Sequence, residues 1–371
     1  MTDALIVGGG VIGLSLAYEL AGEGCKVRLL DRGAPGREAS WAGAGILPPA
    51  SAEPEIDPYE QLLQLSNELH RAWSARLREE TGVDNGYRRC GGIYLARDAA
   101  TKTQLDRAAE AWRQQGVAVE TLSPDELASR EPSLAGGAVS PALRAAYFLP
   151  DETQLRNPRH LKALLAGCAL RGVEISAGIA VEDFLVRGER IERVLTSSGP
   201  LEAEQVCLTS GPWTKTLLSR LGVRTALKPI RGQIALLSAA RPLLRSIVNE
   251  GPRYLVPRPD GRILVGSTEE DAGFEKLTTA GGIGGLLEFA LSLAPGLKAA
   301  QLEQCWAGLR PNTLDGRPYL GQIPGLANAY VAAGHFRSGL QLSPGTAAVM
   351  SRLMRGLDPQ FDLTPFRVDR G

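Results

Sequence analysis

The chain has 371 residues, of which 44% are apolar and 22% charged, as expected of a water-soluble globular protein of roughly two domains. Lysine plus arginine equals aspartate plus glutamate at 41 each, so no global field attracts nucleic acid or an anionic membrane, and neither is expected as a partner. No apolar run reaches the ~20 residues of a membrane helix, and no basic leader with a cleavage site opens the chain.

Five cysteines are scattered along the chain without a Cys-x-x-Cys pair. Their odd number and their dispersion argue against a disulfide framework and against a zinc site, so no metal ion is predicted. Reduced thiols are typical of the cytoplasm, where we expect the protein to reside.

The first segment predicts a strand, a helix and a second strand within about 30 residues, the length of one βαβ unit. Residues 4–8 (ALIVG) form an apolar run of strand length, and residues 26–31 (KVRLLD) form the second run. The helix between them is expected to end at Gly24.

Cap residues followed by proline predict four later helices, because proline suits the first helical turn. These helices are predicted to start at Asp57-Pro58, Ser123-Pro124, Asn157-Pro158 and Ser343-Pro344. Glycines are predicted to end three of them, at Gly82, Gly172 and Gly356.

Strand-like runs lie between the predicted helices, at residues 91–96, 206–210, 232–237, 254–258 and 262–267. The last two flank Pro259-Asp260-Gly261, which predicts a hairpin turn. The glycine-rich segment 280–285 is interpreted as a loop or a loose helix start. Antiparallel hairpins in mid-chain suggest a second domain inserted into a nucleotide-binding one.

A GxGxxG motif lies between the first predicted strand and helix, and Asp31 ends the second strand about 20 residues later. Gly8 permits the tight turn, Gly10 lets a pyrophosphate approach the backbone, and Gly13 lets the helix pack closely on the strand. The helix N-terminus attracts phosphate, and the carboxylate accepts hydrogen bonds from a ribose. Asp31 favours FAD or NAD over NADP, and the small-residue segment 40–47 (SWAGAGIL), which leaves room for a flat ring system, favours FAD.

Five segments together resemble the glycine oxidases and the wider D-amino-acid oxidase and sarcosine oxidase family. They are GGGVIG (8–13), SWAGAGIL (40–47), LTSGPW (208–213), WAGLRPNTLDGRPYLG (306–321) and AAGHFRSGLQLSP (332–344). The resemblance implies a mixed α/β fold, with a Rossmann-like FAD-binding domain (1–84, 150–222 and 306–371) and an inserted antiparallel-sheet substrate domain (85–149 and 223–305). It also implies hydride transfer from the substrate α-carbon to FAD, giving an imine that water hydrolyses, with dioxygen as the electron acceptor and hydrogen peroxide as a product.

The resemblance, with the glycine motif, also implies which residues contact FAD and substrate. The expected FAD contacts are Gly8, Gly10, Val11, Ile12, Gly13, Asp31, Arg32, Ser40, Ala44, Gly45, Ile46, Val181, Gly211, His335, Phe336, Arg337, Ser338, Gly339, Leu340 and Gln341. On the substrate side, Arg310 pairs with the carboxylate through its planar fork, Tyr254 closes that site, and Arg337 is a second substrate-side residue. Hydride transfer needs the amine lone pair, so no general base is assigned.

The last motif also has an electrostatic interpretation. A helix starting at Ser343-Pro344 would point its positive end at the flavin's pyrimidine edge, where negative charge collects on reduction. For His335, simple packing and contact with the flavin are both left open.

Two positions depart from the glycine oxidase pattern. Pro252 stands where those enzymes carry a histidine two residues before the tyrosine, and Glu269 stands where they carry an apolar residue. Glu269 is either a carboxylate near the substrate amine or a charged hairpin end in solvent, and we favour the second interpretation. Sarcosine oxidases tether their flavin to a cysteine near the position of Cys305, but the surrounding pattern is that of glycine oxidases, so FAD is expected to be non-covalent.

The favoured hypothesis is an oxidase of glycine, sarcosine or a related small amine, which for a glycine oxidase implies a role in supplying the imine for thiamine synthesis. The alternative is a dehydrogenase on the same fold that oxidises an amino acid or a 2-hydroxy acid and passes electrons to a quinone or protein. Arg310, Tyr254 and Arg337 argue against a non-enzymatic flavoprotein, and the C-terminal flavin motif argues against an NAD-dependent dehydrogenase. The family includes monomers, dimers and tetramers, so a homo-oligomer stays open.

Overall fold

The computed structural model describes residues 2–53, 57–135 and 142–370. The helices are α1 (Val11–Gly22), α2 (Ala39–Ala42), α3 (Pro58–Thr81), α4 (Ala99–Gln114), α5 (Pro124–Arg130), α6 (Pro132–Ala135), α7 (Asn157–Leu170), α8 (Thr214–Arg220), α9 (Ala280–Leu293) and α10 (Gly339–Met354). Short 3-10 helices span Gly211–Trp213, Pro295–Ala299 and Thr364–Phe366.

The strands are β1 (Ala4–Val7), β2 (Val27–Asp31), β3 (Ile46–Leu47), β4 (Arg88–Arg89), β5 (Gly92–Ala96), β6 (Glu120–Thr121), β7 (Ala145–Leu149), β8 (Thr153–Gln154), β9 (Glu174–Ala177), β10 (Val181–Arg187), β11 (Arg190–Thr196), β12 (Gly199–Leu201), β13 (Gln205–Leu208), β14 (Lys228–Ser238), β15 (Ile247–Glu250), β16 (Arg253–Pro257), β17 (Arg262–Gly266), β18 (Gln301–Asn312), β19 (Tyr319–Gln322) and β20 (Ala329–Ala333). They form a six-stranded sheet, an eight-stranded sheet and two small three-stranded sheets over the part of the chain that the structure describes.

The six-stranded sheet has the order β19-β20-β13-β1-β2-β9, and its neighbours run parallel except for the edge pair β19 and β20. All four residues of β1 are buried, because successive side chains enter cores on opposite faces. One core holds α1, α3, α7 and α10, and the other holds β10, β11 and α8. The carboxyl ends of β1, β2, β13 and β20 therefore meet at one edge of this sheet.

The eight-stranded sheet has the order β18-β14-β17-β16-β15-β5-β7-β6 and is antiparallel except between β15 and β5. One face packs against α5 and α9. The other face packs against the segment that contains α2 and β3, where Trp306 Nε1 donates to the carbonyl of Ala42 at 3.0 Å. The mixed α/β fold with a large antiparallel sheet is therefore confirmed.

Most of the predicted helix and strand positions are also confirmed. Asp57 caps α3 by accepting from the backbone N–H of Tyr59 at 2.8 Å, and Ser123 caps α5 in a capping box with Glu126. The hairpin at 259–261 joins β16 to β17. The glycine-rich segment 280–285 is the first part of α9 and not a loop.

Two predicted helix starts are wrong. Asn157 is the first residue of α7 and not its cap, and its side-chain Nδ2 donates to the carbonyl of Ser40 at 2.7 Å. The last helix, α10, starts at Gly339 and not at Ser343-Pro344, so Pro344 lies inside it.

A buried histidine allows α10 to continue through Pro344. Proline has no N–H to donate to the carbonyl of Leu340 one turn earlier. His70 Nε2 lies 3.0 Å from that carbonyl oxygen and 2.9 Å from the carbonyl oxygen of Gln341, and Ser343 Oγ donates to Leu340 at 2.8 Å. The carbonyl that proline frees is therefore satisfied by side chains.

Within the described ranges, the longest helices are too polar and the apolar ones too short to cross a lipid bilayer.

Candidate functional site

A cavity of about 630 Å³ is lined by residues from both large sheets. On one side lie the turns that follow β1, β2, β13 and β20, together with the segment around α2 and β3. On the other side lie residues of β14, β15, β16 and β18. In open α/β sheets a ligand binds outside the carboxyl ends of the strands, and this cavity lies at that position.

The turn after β1 is shaped for close packing and for phosphate. A Cβ on Gly13 would overlap the carbonyl oxygen of Gly8, so only glycine lets α1 approach the strand this closely. Ser40 Oγ accepts from the backbone N–H of Val11 at 2.9 Å. Asp31 fixes the neighbouring turn, since its carboxylate accepts from Gly9 at 2.8 Å, and each oxygen keeps a lone pair free for a ribose hydroxyl.

The segment between Ser40 and Leu47 is held from behind by a buried arginine. Arg258, which is 5% exposed, donates to the carbonyl oxygen of Ala44 at 2.7 Å and to that of Leu155 at 3.0 Å. Burial lowers the pKa of its guanidinium to about 9. Ala44, with its methyl group, and Gly45, which has no side chain, thus present a fixed wall to the cavity.

The large sheet contributes a row of cross-strand neighbours. Strand register pairs Tyr94 with Asn249, Asn249 with Tyr254, and Tyr254 with Gly266. Directly paired residues share one face of a sheet, so these side chains are turned the same way. Tyr94, Asn249 and Tyr254 all line the cavity.

Arg310 is a half-buried cation of this wall. Its guanidinium lies over Gly232 on the adjacent strand, where any Cβ would overlap it. Its nitrogens donate to Ser267 Oγ at 2.8 Å and to the carbonyl of Thr268 at 3.1 Å, so both direct partners are neutral. Burial lowers its pKa, while the adjacent Tyr254 favours the charged form. The charge is therefore available to an anion in the cavity.

Arg337 lies at the rim and is already engaged. Its Nη2 donates to the carbonyl of Pro252 at 3.1 Å, and its Nη1 lies 3.6 Å from a carboxylate oxygen of Glu269. The Glu269 side chain is 48% exposed and is not part of the cavity lining. Glu269 is thus a half-exposed partner of Arg337 at the rim.

The N-terminal residues of α10 also line the cavity, from Ser338 to Gln341. Because the helix starts at Gly339, its positive end lies nearer the cavity than a start at Ser343 would place it. The His335 side chain is 3% exposed, and its Nε2 lies 3.1 Å from Thr346 Oγ1. Burial lowers the pKa of this imidazole to about 3. His335 therefore packs as a neutral ring against α10.

The structure brings the predicted site residues to one cavity, apart from Gly13. Those that line it are Gly8, Gly10, Val11, Ile12, Asp31, Arg32, Ser40, Ala44, Gly45, Ile46, Val181, Gly211, Tyr254, Arg310, His335, Phe336, Arg337, Ser338, Gly339, Leu340 and Gln341. Gly13 lies behind the turn and serves the packing of α1. The sequence did not identify Tyr94, Asn249, Asn157 or Gly232, because their positions depend on pairings between distant segments.

Comparison with known proteins gives matches along nearly the whole chain. The family model described as FAD dependent oxidoreductase (DAO) matches residues 3–353. Glycine oxidase of Pseudomonas putida is 34% identical over 365 residues, covering 98% of this chain and 97% of that protein. The crystal structure of glycine oxidase from Geobacillus kaustophilus superposes with a TM-score of 0.94 at 34% identity, covering 100% of this chain and 98% of that one.

A relative of a different length is the bifunctional protein ThiO/ThiG of Trichormus variabilis. It is 32% identical over 360 residues, which cover 94% of this chain and 52% of that protein. The matching part of that protein is therefore joined to a second part of similar size.

Proposed function

Because the chain belongs to the DAO family of FAD-dependent oxidoreductases, we propose that it oxidises the amine of glycine, sarcosine or a related small N-alkyl glycine. The observation that carries the choice of substrate is Arg310, a half-buried guanidinium on the cavity wall whose direct hydrogen-bond partners are neutral. An arginine in this state is suited to bind a carboxylate through two parallel hydrogen bonds.

The residues present fit FAD. The turn after β1 and the N-terminus of α1 suit a pyrophosphate, Asp31 suits a ribose, and the small side chains of the 40–47 segment leave space for a flat ring. We propose that the cavity-lining residues named above hold the cofactor, with Gly13 supporting the turn. When bound, FAD supplies the acceptor for a hydride from the substrate α-carbon.

The substrate-side residues would act by orientation. Arg310 fixes the carboxylate, and the Tyr254 hydroxyl donates to the same group. This leaves the α-carbon of a short substrate with little freedom to turn, and such positional constraint accounts for a large part of catalysis. Arg337 closes the rim while it is held by Pro252 and Glu269.

The N-terminus of α10 supports the redox chemistry in this proposal. Its first residues line the cavity, and their free N–H groups carry partial positive charge. Such charge stabilises the negative charge that a flavin gains on reduction. We expect a reduction potential above that of free FAD, measured by dye equilibration.

Further parts of the proposal follow the relatives. We infer that dioxygen reoxidises the flavin with release of hydrogen peroxide, that water hydrolyses the imine, and that the imine can feed thiamine synthesis, in line with the match to ThiO/ThiG. Non-covalent FAD is supported by Cys305, which packs on the far side of the large sheet from the cavity. A cytoplasmic location, a homo-oligomer and the domain boundaries predicted from the sequence stay predictions.

Anaerobic mixing tests this function. The purified holoprotein is mixed with glycine, sarcosine, D-amino acids and 2-hydroxy acids while the flavin band near ~450 nm is followed. We expect glycine or sarcosine to bleach the band, and peroxide to appear when air is admitted. Methylamine, which lacks the carboxylate, is the control and is expected to leave the band unchanged.

Other outcomes are equally informative. A band that bleaches with an amine but stays bleached in air would exclude the oxidase and favour the dehydrogenase with another acceptor. Bleaching by a 2-hydroxy acid alone would exclude amine oxidation.

A further inference from the structure

A buried carboxyl group lies behind the cavity wall. Glu152, between β7 and β8, is 0% exposed. The Tyr94 hydroxyl donates to its Oε2 at 2.7 Å, and Asn249 Nδ2 donates to its Oε1 at 3.3 Å. The carboxylate lies against Gly92, where a Cβ would overlap it. No Lys, Arg or His among the described residues forms an ion pair with it.

Tyr94 and Asn249 connect this carboxyl group to the cavity. Both line the cavity, and both lie in the row of the large sheet that contains Tyr254. Because the Tyr94 hydroxyl donates to Glu152, its oxygen can still accept a hydrogen bond. The Oδ1 of Asn249 has no hydrogen-bond partner within the described residues. This stretch of wall therefore offers acceptors, whereas Arg310 and Arg337 offer only donors.

No general base is assigned from the sequence, but the proposed reaction does need a proton acceptor when the substrate binds as an ammonium ion. An amino acid near neutral pH carries an ammonium group, and hydride transfer from the α-carbon requires the lone pair of the neutral amine. One proton must therefore leave the nitrogen first. None of the three arginines that line the cavity, Arg32, Arg310 and Arg337, can take it, because a guanidinium stays protonated.

We propose that Glu152 receives this proton through the hydroxyl of Tyr94, an inference that rests on the proposed amine oxidation. An N–H bond of the ammonium breaks and an O–H bond forms at the Tyr94 oxygen, while Tyr94 passes its own proton to Glu152 Oε2. The nitrogen keeps the electron pair, the Glu152 carboxylate becomes a neutral acid, and nothing is oxidised in this step. Asn249 holds the carboxyl group in position and presents its carbonyl oxygen to the amine.

The surroundings of Glu152 suit a proton acceptor. Burial raises its pKa to about 7, although the hydrogen bonds from Tyr94 and Asn249 oppose the shift. Among the residues that the structure describes, the other titratable groups that face it are Tyr94 of β5, whose pKa burial raises well above its usual value, and Cys90, whose thiol pKa is also raised by burial. From β15 comes only the uncharged Asn249, and from α4 the Trp112 ring lies beside Tyr94 at 4.9 Å. A base poised near neutrality transfers protons most effectively.

The pH dependence of flavin reduction tests the proposal. The rate constant of bleaching divided by the dissociation constant of glycine is measured anaerobically for the holoprotein from pH 6 to pH 10. In the wild type we expect a rise through pH about 7, where Glu152 ionises, and then a plateau up to the pKa of the free amine. In Glu152→Gln the plateau should vanish, because only neutral glycine reacts. The ratio should be about 100-fold lower at pH 7 and should recover toward pH 10.

Two further variants test the same proton route independently of Glu152→Gln. Tyr94→Phe breaks the relay and leaves Glu152 with Asn249, so it should show the same pH profile as Glu152→Gln even if that variant holds FAD poorly. Tyr147→Phe is the matched control, because Tyr147 is the register partner of Tyr94 on β7 but donates to Asp106. Acetate binding, followed by the flavin spectrum, should be unchanged in all three, since acetate has no ammonium.

The outcomes separate the two proposals. If the wild type bleaches with glycine but Glu152→Gln and Tyr94→Phe keep the wild-type profile, or lose rate equally at every pH, the proton route is wrong while the oxidase function stands. If no amine bleaches the wild type, the proposed function fails and the proton route fails with it.

Discussion

The position of Arg310 depends on the residue beside it on the neighbouring strand. The guanidinium occupies the space above Gly232 that any side chain would fill, and it is oriented by Ser267 and Thr268. A planar fork held in this way can meet both oxygens of a carboxylate. The orientation of the Arg310 guanidinium, as well as its charge, should therefore contribute to binding of the substrate carboxylate.

Arg310→Lys tests this point. Lysine keeps the charge but loses the fork and the bonds to Ser267 and Thr268, each of which is worth about 1–3 kcal/mol when charge-assisted. We expect the dissociation constant of glycine to rise about 10- to 100-fold in anaerobic titration, with FAD content unchanged.

Arg337→Lys is the matched control. Arg337 already contacts Glu269 and the carbonyl of Pro252 at the rim, so the same exchange there should weaken glycine binding by less than about tenfold. Equal effects of the two substitutions would contradict the assignment of the carboxylate to Arg310.

Some residues of the site can be predicted from the sequence, and others cannot. Arg310 lies in the segment 306–321 that carries the resemblance, and Tyr254 lies outside the five segments but is assigned by the same resemblance. Tyr94 and Asn249 become neighbours only through the parallel pairing of β5 with β15, and the register of two segments so far apart in the chain cannot be read from either segment. The sequence around Glu152 does not indicate that this residue is buried, because its burial depends on the same pairing of β5 with β15.

Among the elements, α9 shows how differently glycines behave within one helix. A Cβ on Gly281, Gly284 or Gly285 would meet no atom within 4 Å, whereas a Cβ on Gly282 would overlap the side-chain amide of Gln233. That amide accepts from the backbone of Thr279, the cap residue of α9, and donates to Glu270. One glycine is thus required by packing, and the others are not.

Alanine substitutions distinguish the two kinds. Gly284→Ala should stabilise the protein by about 0.5–1 kcal/mol, because alanine loses less backbone freedom on folding. Gly282→Ala should destabilise it by about 1–3 kcal/mol through overpacking. Urea unfolding of the two variants against the wild type measures both, and a stabilising Gly282→Ala would contradict the contact with Gln233.

The start of α10 shows where an element-level prediction fails. A cap residue before proline ordinarily begins a helix, but Ser343-Pro344 lies inside one because His70 reaches from α3 to the carbonyls of Leu340 and Gln341. That partner is 270 residues away in the chain. Local helix signals predict boundaries well only where local groups satisfy the backbone, as at Asp57 and Ser123.

Across the whole molecule, every histidine of the chain is buried and neutral. Burial lowers the pKa of His70 to about 4, and those of His160 and His335 to about 3. A histidine whose pKa is lower in the folded than in the unfolded protein contributes stability at pH values above its unfolded pKa near 6.5. This contribution is lost as the pH falls from there through the folded pKa. Glu152 affects the free energy of unfolding in the opposite direction. Its pKa is raised from 4.5 to about 7 in the folded protein, so it contributes stability below pH about 4.5, and this contribution is lost as the pH rises through about 7.

The pH dependence of unfolding should therefore be steep on the acid side. Each group changes the free energy of unfolding by about 1.4 kcal/mol per pH unit, so three histidines opposed by Glu152 give a loss of about 3 kcal/mol per unit below pH ~6. Urea titrations at several pH values measure this slope. In Glu152→Gln the slope should be steeper, since the opposing group is gone, and an unchanged slope would contradict the raised pKa.

The pairing of β1 with β13 has a consequence for synthesis of the protein. When the first βαβ unit leaves the ribosome, β1 still lacks its neighbour at residues 205–208, and the cavity still lacks the residues up to Gln341. Long-range pairing of this kind folds slowly and leaves strand edges exposed meanwhile. The nascent chain therefore has no complete site for a dinucleotide until residue 341 has been translated, and chaperones that shield open strand edges should raise the yield of holoprotein more than added FAD does.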